Sequence, residues 1–144
     1  MKKISCIAIT LVLFSCTTTK NSFVKNNLLD SNTFKLTEIS TDATYGSENN
    51  PIQVGGVSSN EGPINERRFL NALAGPNGES ISYFRAGSCC PIKSNNNPFG
   101  GGSVMLDKYR VTWQGANDTL SIYINMYDSG VLKAPKGFTI KNNL

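Results

Sequence analysis

Leu120-Ser121-Ile122-Tyr123-Ile124-Asn125-Met126-Tyr127 alternates without a break. Leu120, Ile122, Ile124 and Met126 fall on one side, and Ser121, Tyr123, Asn125 and Tyr127 on the other. Successive side chains of a strand point to opposite faces, so this period of two predicts a strand with one face on a core. Just upstream, residues 104–113 set Tyr109, Val111 and Trp113 against Leu106, Lys108, Arg110 and Thr112. Gly115-Ala116-Asn117-Asp118 supplies the turn that makes the two runs a hairpin. A hairpin needs further strands or a helix before it is stable, so the rest of the chain must provide them.

Working outward, residues 80–85 read as a third strand carrying Ile81, Tyr83 and Phe84, followed by a long loop over residues 87–103. Residues 33–40 alternate, with Phe34, Leu36 and Glu38 opposite Lys35, Thr37 and Ile39. Residues 52–54 form a short strand, and residues 131–140, interrupted by Pro135 and Gly137, suit an edge strand, where proline is tolerated. Residues 63–74 predict the one helix: Pro63 fits the first turn, where its missing N–H costs nothing, and Gly75-Pro76 is the stop. Phe69, Leu70 and Leu73 share a face of that helix, Ile64 lies off it, and Arg67-Arg68 reads as a solvated flank. The expected fold class is α+β, a small antiparallel sheet of four to six strands with one packed helix.

The opening of the chain carries a different signal. Lys2 and Lys3 precede eleven uncharged residues, 4–14, and then Ser15 and Cys16. That run is the length of a signal-peptide apolar region, and well short of the roughly 20 residues a membrane-crossing helix needs. Leu13-Phe14-Ser15-Cys16 resembles the bacterial lipobox, in which a small residue before the cut leads into a cysteine whose sulfur accepts a diacylglyceryl group. Cys6 lies too early to be that acceptor. The expected organisation is a signal peptide over 1–15, a lipidated flexible tether over 16–32, rich in Thr, Lys, Asn and Ser, and one domain over 33–144. Thr17 stands where aspartate favours inner-membrane retention in some bacteria, so the expected address is the outer membrane, with the lipid as the membrane contact.

Removing Lys2 and Lys3 from 14 basic side chains leaves 12 against 10 acidic, so the apparent net charge of +4 falls to +2. No basic cluster longer than Arg67-Arg68 follows, and no nucleic-acid partner is expected. The chain has no histidine, which excludes serine or cysteine triads built on it and the usual zinc sites. Asp107, Asp118 and Asp128 are read as strand-end or turn residues that bond locally. Asn95-Asn96-Asn97-Pro98-Phe99-Gly100-Gly101-Gly102-Ser103 lacks the Gly-Lys-Ser/Thr ending of a phosphate loop, and reads as a flexible connection pinned to the core by Phe99. Tyr109, Trp113, Tyr123 and Tyr127 could form an aromatic binding face, though at strand spacing cross-strand packing is the commoner explanation. No catalytic, cofactor or metal residue is expected. The remaining candidates are the adjacent Cys89 and Cys90, either buried thiols or a vicinal bridge that stiffens the loop, with a redox or soft-metal role as the alternative.

Asn65-Glu66-Arg67-Arg68-Phe69-Leu70-Asn71-Ala72-Leu73-Ala74-Gly75-Pro76-Asn77-Gly78-Glu79, Ser88-Cys89-Cys90-Pro91, residues 120–127 and Ala134-Pro135-Lys136-Gly137-Phe138 together resemble a group of small bacterial lipoproteins. Some of these carry the label 2-dehydro-3-deoxyphosphooctonate aldolase, and the resemblance implies that activity as one alternative. Such an aldolase implies a (β/α)₈ barrel of about 250 residues, against the 112 that follow the tether. The residues themselves favour a membrane-anchored, non-enzymatic binding or structural module of the cell envelope, whose partner is an envelope protein or glycan.

Overall fold

The alternating runs pair as their pattern requires. The computed structural model describes residues 27–141. Along the chain run β1 (Leu28–Asp30), β2 (Thr33–Phe34), β3 (Ile52–Gln53), a 3-10 turn at Val57–Ser59, helix α1 (Gly62–Asn71), β4 (Leu73–Ala74), β5 (Ile81–Lys93), β6 (Ser103–Trp113), β7 (Leu120–Asn125) and β8 (Thr139–Ile140). The fold is therefore mixed α and β, with one α-helix among the described residues. The principal sheet has the order β3-β7-β6-β5. β5, β6 and β7 are antiparallel, while β3 runs parallel to β7, opposite Ile124 and Asn125. The sheet is thus mixed rather than wholly antiparallel, because β3 arrives from far upstream and no hairpin constrains its direction.

One face of this sheet is buried by α1. Phe69 and Leu70 are inaccessible to solvent and share a core with Tyr109, Val111, Ile122 and Ile124. Trp113 meets Phe138 edge to face at 5.5 Å between ring centroids. Pro63 lies in the first turn of α1, as its lack of an N–H favours. The helix stops at Asn71 rather than reaching residue 74. Leu73 and Ala74 leave it to pair with Ile140 and Thr139, and Ala72 O accepts from Lys141 N. The returning chain thus offers the backbone a partner that another helical turn would not.

Three expectations are corrected by the register. β2 ends at Phe34 instead of continuing to residue 40; Phe34 and Leu36 are buried, but Glu38 ion-pairs at the surface with Lys133, and Ile39 is exposed. The extended backbone there bonds Ala134 instead of a full strand. β1 forms inside the stretch whose composition suggests a tether. Arg68 Nε donates to Ser31 O and Asn71 Nδ2 to Asn32 O, so α1 holds the β1–β2 turn, and Arg68 is a clamp rather than a solvated flank. β5 runs to Lys93 instead of ending near Arg85. Extra residues at Ala86 and Cys90 bulge it against an uninterrupted β6, leaving only residues 94–102 as loop.

Candidate functional site

Helical spacing puts Glu66 on the stripe of Phe69, Leu70 and Leu73, at i, i+3, i+4 and i+7. Its side chain enters the core and is wholly buried. Tyr109, projecting from β6 on the α1 side, donates its hydroxyl to Glu66 Oε2 at 2.8 Å. Two residues along β6, Asp107 emerges on the same face. Burial, then the Asp107 charge, push the Glu66 carboxyl up to about 8, so at neutral pH it is an uncharged acid. Glu66 Oε1 has no donor directed at it. A proton on that buried oxygen leaves the carboxyl without a charge beside the Asp107 anion, which is the form that burial and the Asp107 charge both favour.

Asp107 is 4% exposed and keeps its charge through its other neighbours. Arg85 donates Nε to Oδ2 and Nη2 to Oδ1, both at 2.7 Å, and Ser88 Oγ donates to Oδ1 at 2.8 Å. Burial works against the anion, but the Arg85 and Ser88 bonds outweigh it and hold its carboxyl below the ordinary value. Burial and the Glu66 carboxyl raise the Tyr109 hydroxyl, which stays protonated. The result is two neighbouring groups, Ser88 and Arg85 on Asp107 at the sheet edge and Tyr109 on Glu66 in the core, coupled through the Asp107 charge. Asp107 is accordingly a mid-strand residue, not the strand-end aspartate expected.

Immediately beyond Ser88, Cys89 and Cys90 are joined through their sulfurs. Cys89 lies opposite Leu106, Pro91 opposite Met105, and Cys90 is the unpaired bulge residue, with φ +57°. Both cysteines are half-buried, on the outermost strand of the sheet. A second polar cluster closes the same end. Asp128 accepts from Ser94 Oγ, Asn96 Nδ2 and Asn125 Nδ2, tying the 94–102 loop to the turn after β7.

The other sequence candidates separate. Cys16 lies outside the described residues. Asp118 is an exposed turn residue, 3.9 Å from Arg110, and Arg110 also binds Ser121 and Thr119. Tyr109 and Trp113 pack on the α1 side, while Tyr123 lies on the other face with Lys108 Nζ 5.6 Å from its ring centre, so the four aromatics form no common surface. Phe99 does not pin its loop: it is 95% exposed, because Asn97 Oδ1 accepts from Phe99 N and Asn97 O from Gly100 N, which sets the turn without it. An open cleft of about 250 Å³ lies between the end of α1 and the start of β5, bounded by Asn71, Ser80, Tyr83 and Lys141, and the Tyr83 hydroxyl is bound to Asn71 Oδ1. Among the described residues, no group of three or more cysteine or acidic side chains is arranged to hold a metal ion, and no helix is long and apolar enough to cross a membrane. Glu66 was the residue missed, although its place on the apolar stripe was visible in the spacing. No family model, curated protein or solved structure matches this chain.

Proposed function

We propose that this chain is a lipid-anchored protein of the bacterial cell envelope, held at the outer membrane through Cys16, whose folded domain is a non-enzymatic binding or structural module. The observation that carries the reading is Leu13-Phe14-Ser15-Cys16 placed directly after the uncharged run 4–14 and the Lys2-Lys3 pair. Two or three acyl chains on one cysteine give a lasting anchor, at about 0.8 kcal/mol for each buried methylene. Eleven residues separate Cys16 from β1, a reach of at most about 40 Å, which keeps the domain's partner near the membrane. A module that binds or supports an envelope protein or glycan is favoured over an enzyme because the strongest polar cluster is engaged internally: Asp107 with Arg85 and Ser88, and Glu66, wholly buried, with Tyr109.

The test is expression of the full chain and of Cys16→Ala in a bacterium fed radiolabelled palmitate, with membranes separated by density. The unaltered chain is expected to carry label and band with the outer membrane, and Cys16→Ala to do neither. Equal membrane partitioning of the two, or recovery of the labelled chain in the inner membrane, would overturn the anchor or its address respectively.

A further inference from the structure

We infer that Cys89 and Cys90 form a thiol–disulfide exchange site that accepts two electrons and two protons from a dithiol. Three features of the strand lead there. First, the pair is reachable: both residues are half-buried, on the one long strand of the principal sheet that has a neighbour on a single side. Second, the closed form is held against backbone preference. The two Cα atoms are 3.7 Å apart, short of the roughly 4.4–6.8 Å that disulfides usually span. Cys90 also occupies the left-handed region at φ +57°, where a side chain other than glycine, asparagine or aspartate is disfavoured. Opening the bridge frees Cys90 to leave that region, and a bridge whose opening relieves the backbone is the more easily reduced kind. Third, opening disturbs little else. Cys90 is the bulge residue with no partner on β6, and Pro91 has no N–H to contribute to the ladder.

The exchange balances as follows. A thiolate of the incoming dithiol attacks one of the two sulfurs; the Cys89–Cys90 bond breaks as a mixed disulfide forms, and the departing sulfur takes up a proton. The second thiol of the partner then attacks the mixed disulfide, leaves as a cyclic disulfide, and returns the other cysteine as a thiol. The protein has gained two hydrogens and the dithiol has lost them. Among the described residues no other cysteine is present to form a second pair that could take the electrons onward. The reading uses the envelope location only in that the bridge forms more readily outside the reducing cytosol.

The full-length chain, extracted in detergent, is equilibrated in a series of glutathione redox buffers, quenched, alkylated and weighed intact, with circular dichroism recording that it stays folded. The folded chain is expected to gain two alkyl groups in buffers where an ordinary structural disulfide gains none, and to lose them on reoxidation. Cys89→Ser and Cys90→Ser are each expected to capture one glutathione at the remaining sulfur. Alkylation only after denaturation, two free thiols in every buffer, or failure of both single variants to take glutathione would each overturn the proposal. Cys16→Ala is expected to titrate like the unaltered chain, so loss of the anchor and loss of the exchange site are read separately.

Discussion

The inner and outer halves of the β5–β6 hairpin bury opposite faces. From Ile81 to Arg85, against residues 109–113, Ile81 and Tyr83 pack on the α1 core while Phe84 faces solvent: Tyr83 meets Tyr109 edge to face at 6.1 Å between centroids, and Val111 is fully enclosed. Farther out, the buried residues of β6 are Val104 and Leu106, which have the other parity and stand outside the α1 core. The changeover falls at Asp107, the one charged residue of β6 that is buried. α1 covers the face that carries Asp107, and the Asp128 cluster ties the 94–102 loop to the turn after β7. A strand can therefore bury one face along one half and the opposite face along the other, and a polar network marks the join.

The strongest test of this division compares the two cores. Leu70→Ala in the inner core should cost about 2–5 kcal/mol in denaturant unfolding, and Leu106→Ala in the outer one a loss in the same range. A cost under about 1 kcal/mol for Leu106→Ala would mean that the outer half is not a core at all. The join itself comes next. Arg85→Ala removes two charge-assisted bonds from a buried anion, and about 2 kcal/mol should be lost; because the Arg85 side chain is 47% exposed, the loss is placed below that of a fully enclosed pair. Measuring it alone and with Ser88→Ala would show whether the two donors act together.

Glu66 gives the join a pH dependence of defined sign. Its carboxyl rises from 4.5 to about 8 on folding. Below about pH 4.5 folded and unfolded chains both hold the proton, and the contribution is fully present. Between there and about pH 8 unfolding releases the proton, so stability falls with rising pH, and above about 8 the loss is complete. Asp107, held below its ordinary value, acts oppositely, losing its contribution as pH falls into the acid range. Glu66→Gln keeps an acceptor for Tyr109 but has no proton to lose. Its unfolding midpoint should lack the decline between pH 5 and 8, and at pH 8 it should exceed the parent by an amount on the order of 2 kcal/mol. A parent curve that rises across that interval would show that Glu66 is ionised in the fold.

The inner half of the hairpin was legible in the sequence and the outer half was not, for a single physical reason. A period of two survives only while both strands advance together, and the bulges at Ala86 and Cys90 shift β5 twice against β6. Across the first shift Arg85 and Ser88 come to the same side, a spacing that no alternation template reads as one face. β6 is regular throughout, yet its buried set changes parity at Asp107, so Val104 and Leu106 read as the solvent side. Glu66 was hidden differently: its position on the apolar stripe was plain, but an acid there is normally assigned to the surface, and only the long-range Tyr109 bond and the loss of its charge make its burial tolerable. The short strands β4 and β8 owe their pairing to chain ends meeting across the fold, which local pattern does not record.

The smallest expected effect tests the loop that joins the halves. A large aromatic among asparagine and glycine suggests an anchor, yet Phe99 is almost entirely in water. The turn is held by Asn97, whose side chain accepts from Phe99 N and donates to Ser103 O at 2.6 Å, while its carbonyl accepts from Gly100 N. Gly100, Gly101 and Gly102 follow with φ of +79°, +92° and +68°, so the return to β6 depends on residues without a Cβ rather than on a buried ring. Phe99→Ser should therefore leave stability within about 0.5 kcal/mol of the parent, as surface substitutions usually do. Asn97→Ala removes both side-chain bonds and should cost about 1 kcal/mol. If the order is reversed, with Phe99→Ser the costlier change, the ring packs against the sheet in solution and the loop is a lid on Val104 and Leu106 rather than a free connection.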